Sequence, residues 1–228
     1  MGGMNGDDET RDYASPACMA GQVSPGHFDP AAGASGLSAK ASAAWRKQER
    51  ARLLAARAAM GEAARQAAEE ALAARLNEVL SARFAGGAGL VLGGFWPIRG
   101  EPDLRGWMAR RAGLGQALAL PVVVAPDAPL IFRPWQPGAA MRPGRFDIPE
   151  PDTAAEVMPQ ILLVPLVGWD AARFRMGYGG GFYDRTLAGM RPRPYAIGVG
   201  HAAGRLDTIR PQPHDEALDL IVTEDGVV

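Results

Sequence analysis

Apolar residues along this chain gather into short unbroken runs, set apart by polar stretches of helical or turn character. The runs are Leu90 to Phe95, Leu118 to Val124, Leu130 to Phe132, Ile161 to Val167, Tyr195 to Val199 and Leu218 to Val222. They lack the alternation of a strand with one wet face and so predict strands buried on both sides. Between them, residues 102–113 and the stretch after Asp184 predict helices. Strands and helices in alternation imply an α/β fold: a single layered domain with a mainly parallel sheet covered by helices on both faces.

The first part of the chain reads differently. Residues 1–40 contain 14 Gly, Pro or Ser and no helical or strand period, which predicts an extension that is poorly structured or docks on the body, for instance through Tyr13 to Met19. The domain proper is expected over 41–228. From Ser42 to Phe84 the sequence is rich in Ala, Arg, Glu and Leu, with Gly61 as the only breaker, and predicts two successive helices. The first carries Arg46, Lys47, Arg50, Arg52 and Arg57 against a single Glu49. At about 100° per residue Arg46, Arg50 and Arg57 fall within about 40° on one face, a cationic stripe that is either a solvated surface or an anion site. The stretch from Arg133 to Pro159, rich in Pro, Gly and Arg, predicts a long irregular flap.

Composition narrows the function classes. With 47% hydrophobic and 21% charged residues the chain can fill a core. Its formal net charge of -1 argues against nucleic acid held by a whole-domain positive field, so any anion site must be local. A helical arm binding nucleic acid would need more aromatic interleaving than Trp45 supplies. Cys18 is the only cysteine, which excludes an internal disulfide and a CxxC site and suits a reducing compartment. The longest apolar stretch, Ile161 to Trp169, is about half of what spans a bilayer. The early acidic residues Asp7, Asp8, Glu9 and Asp12 do not suit a secretory signal. A cytoplasmic protein without membrane partners is the expectation.

The candidate chemistry follows the strand Ile161 to Val167. In Arg175-Met-Gly-Tyr-Gly-Gly-Gly-Phe-Tyr-Asp184-Arg185, four glycines occupy five positions, at Gly177, Gly179, Gly180 and Gly181. Missing β-carbons let successive N–H groups approach one anion, and a helix starting near Asp184 would add its positive end. Arg175 brings a full charge, while Tyr178, Phe182 and Tyr183 offer flat walls. The segment is neither a Walker A motif nor GxGxxG, since no Gly-Lys-Ser/Thr follows and Phe182 replaces the third glycine. On spacing alone it is a phosphate cradle or a mobile turn.

Taken with Val164-Pro-Leu-Val-Gly-Trp-Asp170, Pro213-His-Asp215 and Val222-Thr-Glu224, this string resembles the 5-formyltetrahydrofolate cyclo-ligase family over roughly residues 44–228. The resemblance implies an ATP-dependent ligase acting on a reduced folate. A formamide oxygen is a poor leaving group, and phosphorylating it makes the carbon an electrophile for the neighbouring N10, so catalysis is positioning plus electrostatics. By the same resemblance Arg46, Lys47 and Arg50 reach the ATP phosphates, Arg175 and Gly177 through Tyr183 form the nucleotide loop, and Arg175 and Tyr183 are the catalytic candidates. Trp96, Glu101, Tyr178 and Phe182 border the folate. Asp184 and Asp215 match the carboxylates that hold Mg²⁺, though Asp is also favoured at helix caps and turns. His214 is expected to orient Asp215 or cap a turn, while His27 and His201 carry no role. The small-molecule partners would be a reduced folate and ATP, with no nucleic acid, and the chain is expected as a monomer or weak homo-oligomer.

Three positions depart from the family's habit. Gly204 stands where Gln is general, His201 where Tyr or Phe is usual, and Arg210 where a hydrophobic residue is common. They leave open a nucleotide-binding paralogue with a different acceptor or a regulatory role.

Overall fold

The computed structural model describes residues 39–228, which lie in one compact unit. The expectation for the N-terminal extension, Tyr13 to Met19 included, falls outside the described residues. The helical reading of 42–84 resolves into α1 (Ala39–Ala58) and α2 (Glu62–Phe84), with extended Gly61 between them as the cap of α2. In α2 the residues Leu72, Leu76, Val79 and Leu80 repeat at helical spacing and are buried, so one stripe faces the core. The helix stops where Ala85 turns left-handed and its N–H is donated back to the Leu80 carbonyl.

Ten strands follow: β1 (Val91–Gly93), β2 (Ala117–Val122), β3 (Ile131–Trp135), β4 (Met141–Pro143), β5 (Pro149–Pro151), β6 (Ile161–Pro165), β7 (Gly168–Trp169), β8 (Arg175–Met176), β9 (Tyr195–Val199) and β10 (Leu220–Val222). Helix α3 (Arg105–Gly113) joins β1 to β2, and α4 (Phe182–Gly189) lies between β8 and β9. The main sheet runs β10-β9-β6-β1-β2-β3. Every pairing in it is parallel except β2 with β3. That edge is antiparallel because residues 123–130 are too few for a parallel crossover, which needs about a dozen or more.

Strand β6 explains the unbroken apolar runs. Ile161 and Leu163 join one core, with Leu72, Leu76 and Leu80 of α2 and Trp107 and Met108 of α3. Leu162 and Val164 join the other, with Leu187 of α4. Successive side chains point to opposite faces, and helices cover both, so no position on the strand is left for a polar residue.

The predicted flap is more ordered than its composition suggested. Strand β3 extends to Trp135, and β4 and β5 form an antiparallel hairpin with Met141 opposite Pro151 and Pro143 opposite Pro149. Prolines are tolerated there because each strand of a two-stranded ladder has a free edge. Glu150, buried in the hairpin, binds both Arg133 and Arg142. Among the described residues no helix is long and apolar enough to cross a membrane.

Replacing Leu163 by Ala removes a fully buried side chain from the central strand. The expected loss is about 2–5 kcal/mol of unfolding free energy, read as a lower urea midpoint with an unchanged slope.

Candidate active site

Helix α1 lies against the carboxyl ends of the parallel strands, where open α/β sheets bind ligands. Leu53 packs close to Gly168 just beyond β6, and Arg57 donates to the Leu166 carbonyl. The cationic stripe therefore faces inward. Arg46 forks onto both oxygens of Asp215 at 2.6 and 3.1 Å. Arg50 donates from Nε to the Gly177 carbonyl at 2.7 Å, and its guanidinium carbon would meet a β-carbon on Gly179 at 3.6 Å. Burial and the neighbouring Arg46 hold the Arg50 guanidinium below its ordinary pKa, with Asp215 opposing them. Two adjoining cations that share one carboxylate make a local positive field, which an anion would relieve. Lys47 is exposed beside Arg46.

The glycine segment supplies the facing wall. Gly179 and Gly181 have φ of 100° and 65°, a region that strains any residue with a β-carbon. Gly181 caps α4, which begins at Phe182, two residues before the expected start. Asp184 is thus in the first turn of α4 rather than its cap. The N–H groups of Gly180, Gly181, Phe182 and Tyr183 find no hydrogen-bond partner among the described residues. Unsatisfied donors at a helix start, with its dipole behind them, suit a phosphate. Arg185 braces the loop from outside, donating to the carbonyls of Gly180 and Pro126 and stacking over Phe182.

Arg175, buried in β8, pairs with Asp184 at 3.0 Å and donates to the Glu216 carbonyl. Asp184 in turn accepts the Glu216 N–H at 3.1 Å, which ties it to the residue next to Asp215. Asp215 is fixed by Arg46 and by the Gln212 N–H at 2.6 Å. His214 is exposed in the turn from Gln212 to Asp215, and among the described residues no hydrogen bond from it reaches Asp215, so of the two expected roles, orienting Asp215 or capping a turn, the first has no contact behind it.

Glu101 forms the second half of the site. Its N–H donates to the Ile98 carbonyl, and its Oε2 accepts the Ile98 N–H at 3.0 Å, closing a turn in which Arg99 and Gly100 both have positive φ. Burial pushes the Glu101 carboxyl up to about 7, against the pull of the Ile98 N–H and of Arg57. The Tyr178 hydroxyl donates to the Ile98 carbonyl at 3.3 Å and also interacts with Glu101. Tyr178 therefore joins the glycine segment to the Glu101 turn. Burial, reinforced by the charge of Glu101, raises the pKa of both Tyr178 and Tyr183, so each phenol stays protonated and keeps its O–H as a donor. Trp96 lies on the same chain segment, five residues before Glu101. It packs on the core beside α2 and α3, with Arg105 stacked at 4.8 Å over its ring.

Other residues are brought in that spacing did not single out. Arg57 was counted in the stripe without a role, yet it is buried against Tyr178 and Leu166. His201 is buried and contacts the Gly100 carbonyl. Phe146, at φ 61° in the hairpin turn, meets Phe182 edge-on with 6.1 Å between ring centroids. An exposed aromatic inside a polar, proline-rich stretch was its only available signal.

An α/β protein with a glycine-rich helix start and inward-facing arginines at the carboxyl edge of its sheet is the class these features define. The pattern describing the 5-formyltetrahydrofolate cyclo-ligase family matches residues 42–224, and the chain belongs to that family. The 5-formyltetrahydrofolate cyclo-ligase of Mycolicibacterium smegmatis is 30% identical over 186 residues, 78% of this chain and 93% of that protein. The protein of the same name from Escherichia coli K12 is 29% identical over 140 residues, 58% of this chain and 77% of its own. In fold, the chain resembles the NMR structure of Aquifex aeolicus 5,10-methenyltetrahydrofolate synthetase with a TM-score of 0.68, at 24% identity, over 80% of this chain and 91% of that one. The corresponding synthetase of Mycoplasma pneumoniae gives 0.63 at 19% identity, over 78% of this chain and 98% of its own.

Replacing Arg50 or Arg175 by Ala removes a cation from the loop. Nucleotide affinity, measured by titration calorimetry, is expected to fall at least about tenfold, or roughly 1.4 kcal/mol, in each variant.

Proposed function

We propose that this protein converts 5-formyltetrahydrofolate to 5,10-methenyltetrahydrofolate, with ATP supplying the phosphoryl group that activates the formyl oxygen. The observation that carries this reading is Tyr178, which belongs to the anion-binding glycine segment and touches the turn bearing a buried carboxylate. One side chain thus links a place for phosphate to a place for a donor-rich heterocycle. The reaction needs both within reach of one atom, because phosphate must pass from ATP to the formyl oxygen and then leave as N10 closes the ring.

The residues divide the work by chemistry. Arg46, Arg50 and Arg175, with the unpaired N–H groups from Gly180 to Tyr183, hold the phosphates and offset charge as the phosphoryl group transfers. Glu101, once ionised, accepts hydrogen bonds from the amino and ring N–H groups of the pterin. Tyr178 and Phe182 wall the pterin, and Phe146 closes over Phe182. Tyr183, kept protonated by burial, offers its O–H as a hydrogen-bond donor near the loop. Trp96 borders the folate only from the core side.

Asp184 and Asp215 are the carboxylates that would hold magnesium brought in with ATP, an ion that favours oxygen ligands. Among the described residues no group of three His, Cys, Asp or Glu gathers for a metal. Both carboxylates are already held by Arg175 and Arg46. Magnesium bound with ATP would shield phosphate charge at this place. Its partners in this reading are a reduced folate and ATP, and it works in the cytoplasm as a monomer or weak homo-oligomer.

Purified protein given ATP, magnesium and 5-formyltetrahydrofolate is expected to produce the near-ultraviolet absorbance of the methenyl product. ATP binding without that product would point to another acceptor. Glu101→Gln is expected to raise KM for the folate at least about tenfold while KM for ATP moves less than about twofold. Because the folded Glu101 carboxyl titrates near 7, above its ordinary value, its ionised form accumulates as pH rises through that point. The parent's kcat/KM for folate is therefore expected to climb from pH 6 to 8, and the Gln variant is expected to lose that limb. The stability contribution of the same group has the opposite trend, full below the unfolded carboxyl's pKa and lost as pH rises through about 7.

A further inference from the structure

Three contacts converge on the turn that carries Glu101. Arg57, buried in α1, donates to the Leu166 carbonyl and, at 3.4 Å, to the Tyr178 hydroxyl. Its methylene stem lies so near Gly100 that a β-carbon there would come within 3.2 Å of it. Just past β9, His201 reaches the Gly100 carbonyl at 3.3 Å from Nε2. A carbonyl can only accept, so Nε2 carries the proton. The other ring nitrogen, Nδ1, is buried without a hydrogen bond and lies 4.0 Å from Glu224.

Arg57 and His201 also share a cavity of about 30 Å³, enclosed with Leu53, Ala56, Met60 and Val167. That space holds about one water and no part of a pterin or nucleotide. Any influence of these two side chains on a substrate through this side must therefore pass through Gly100, Glu101 and Tyr178. We infer that Arg57 and His201 are positioning residues, which clamp the Arg99–Gly100 turn so that the Glu101 carboxylate and the Tyr178 ring present one fixed geometry to the pterin. The inference rests on the reading of Glu101 as the folate acceptor.

Charge gives Arg57 a second part in the clamp. Glu101 interacts with Arg57 from α1, Arg99 on its own turn, and Tyr178 and Tyr183 from the glycine segment and α4. Arg99 is exposed and its field is screened by water, whereas Arg57 is buried. Arg57 is thus the cation that keeps Glu101 ionised near neutrality. His201 is within range of Glu224, Glu69 and Arg57, and burial lowers its pKa, so it adds no second positive charge beside Arg57.

The test uses the full chain with Arg57→Met, Arg57→Lys, His201→Phe, His201→Gln and Glu101→Gln. The infrared carbonyl band of protonated Glu101, assigned by its loss in Glu101→Gln, reports ionisation without substrate. It is expected to titrate near 7 in the parent. In Arg57→Met the midpoint is expected to rise by about half a unit or more, while Arg57→Lys stays near the parent. KM for 5-formyltetrahydrofolate is expected to rise about tenfold in Arg57→Met and about threefold in His201→Phe, with KM for ATP within about twofold of the parent. His201→Gln keeps an N–H donor and is expected to recover the parent KM. An unmoved Glu101 midpoint in Arg57→Met overturns the electrostatic part. Equal rises in KM for folate and ATP, or no recovery in His201→Gln, overturn the positioning role. A parent that forms no methenyl product instead overturns the folate reading, while the infrared titration still decides the part of Arg57.

Discussion

The Arg50 guanidinium sits half-buried beside a second guanidinium, Arg46, next to a helix start where the N–H groups of Gly180 to Tyr183 have no partner among the described residues, and the rest of the site depends on that concentration of positive potential. No fold gathers like charges at its sheet edge for stability alone, since each desolvated cation costs several kcal/mol before any partner offsets it. Asp215 and Asp184 supply that partial offset. Arg46 forks onto Asp215 and Arg175 pairs with Asp184, which leaves Arg50 with a backbone carbonyl as its only hydrogen-bond acceptor among the described residues.

This arrangement also accounts for the N-terminal helix. Its propensity and its small buried stripe would make α1 an ordinary surface helix. Arg46, Arg50 and Arg57 instead reach residues 169, 127 and 109 positions away in sequence, and each meets a different strand-following loop. The helix is a strut across the carboxyl ends of β6 and its neighbours, held by charge and hydrogen bonds more than by apolar area. Leu53 against Gly168 is the principal apolar anchor seen there.

Much of this was legible in the sequence for a physical reason. Strands covered on both faces leave unbroken apolar runs, helices of Ala, Arg, Glu and Leu declare themselves by propensity, and glycine is demanded at Gly179 and Gly181 by positive φ. The hairpin β4–β5 was not legible, because its prolines suppress every strand signal and its ladder survives only through free edges and the buried Glu150. The contacts of Arg57 and His201 were not legible for another reason: they include the carbonyl oxygens of Leu166 and Gly100, and no side-chain pattern marks a carbonyl oxygen. Gly204, which departs from the family's usual Gln, has a local cause, since a β-carbon there would lie 2.8 Å from the Val167 carbonyl. Arg210 stacks at 4.1 Å on Trp45 and so takes an apolar contact with its flat face.

These departures are connected. Gly204 allows the chain after β9 to approach Val167 closely, and His201, three residues earlier, lies at the Gly100 carbonyl. An aromatic side chain without a ring nitrogen at 201 would fill the same space and lose that hydrogen bond. The turn bearing Glu101 would then be held by Arg57 and by its own closing bonds to Ile98. A buried carboxylate that titrates near neutrality is sensitive to such support, because a modest movement relative to one cation changes its charge at working pH. One helix therefore serves two places: Arg57 supports the turn that carries Gly100 and Glu101, while Arg46 and Arg50, about two to three turns earlier, meet Asp215 and the glycine segment.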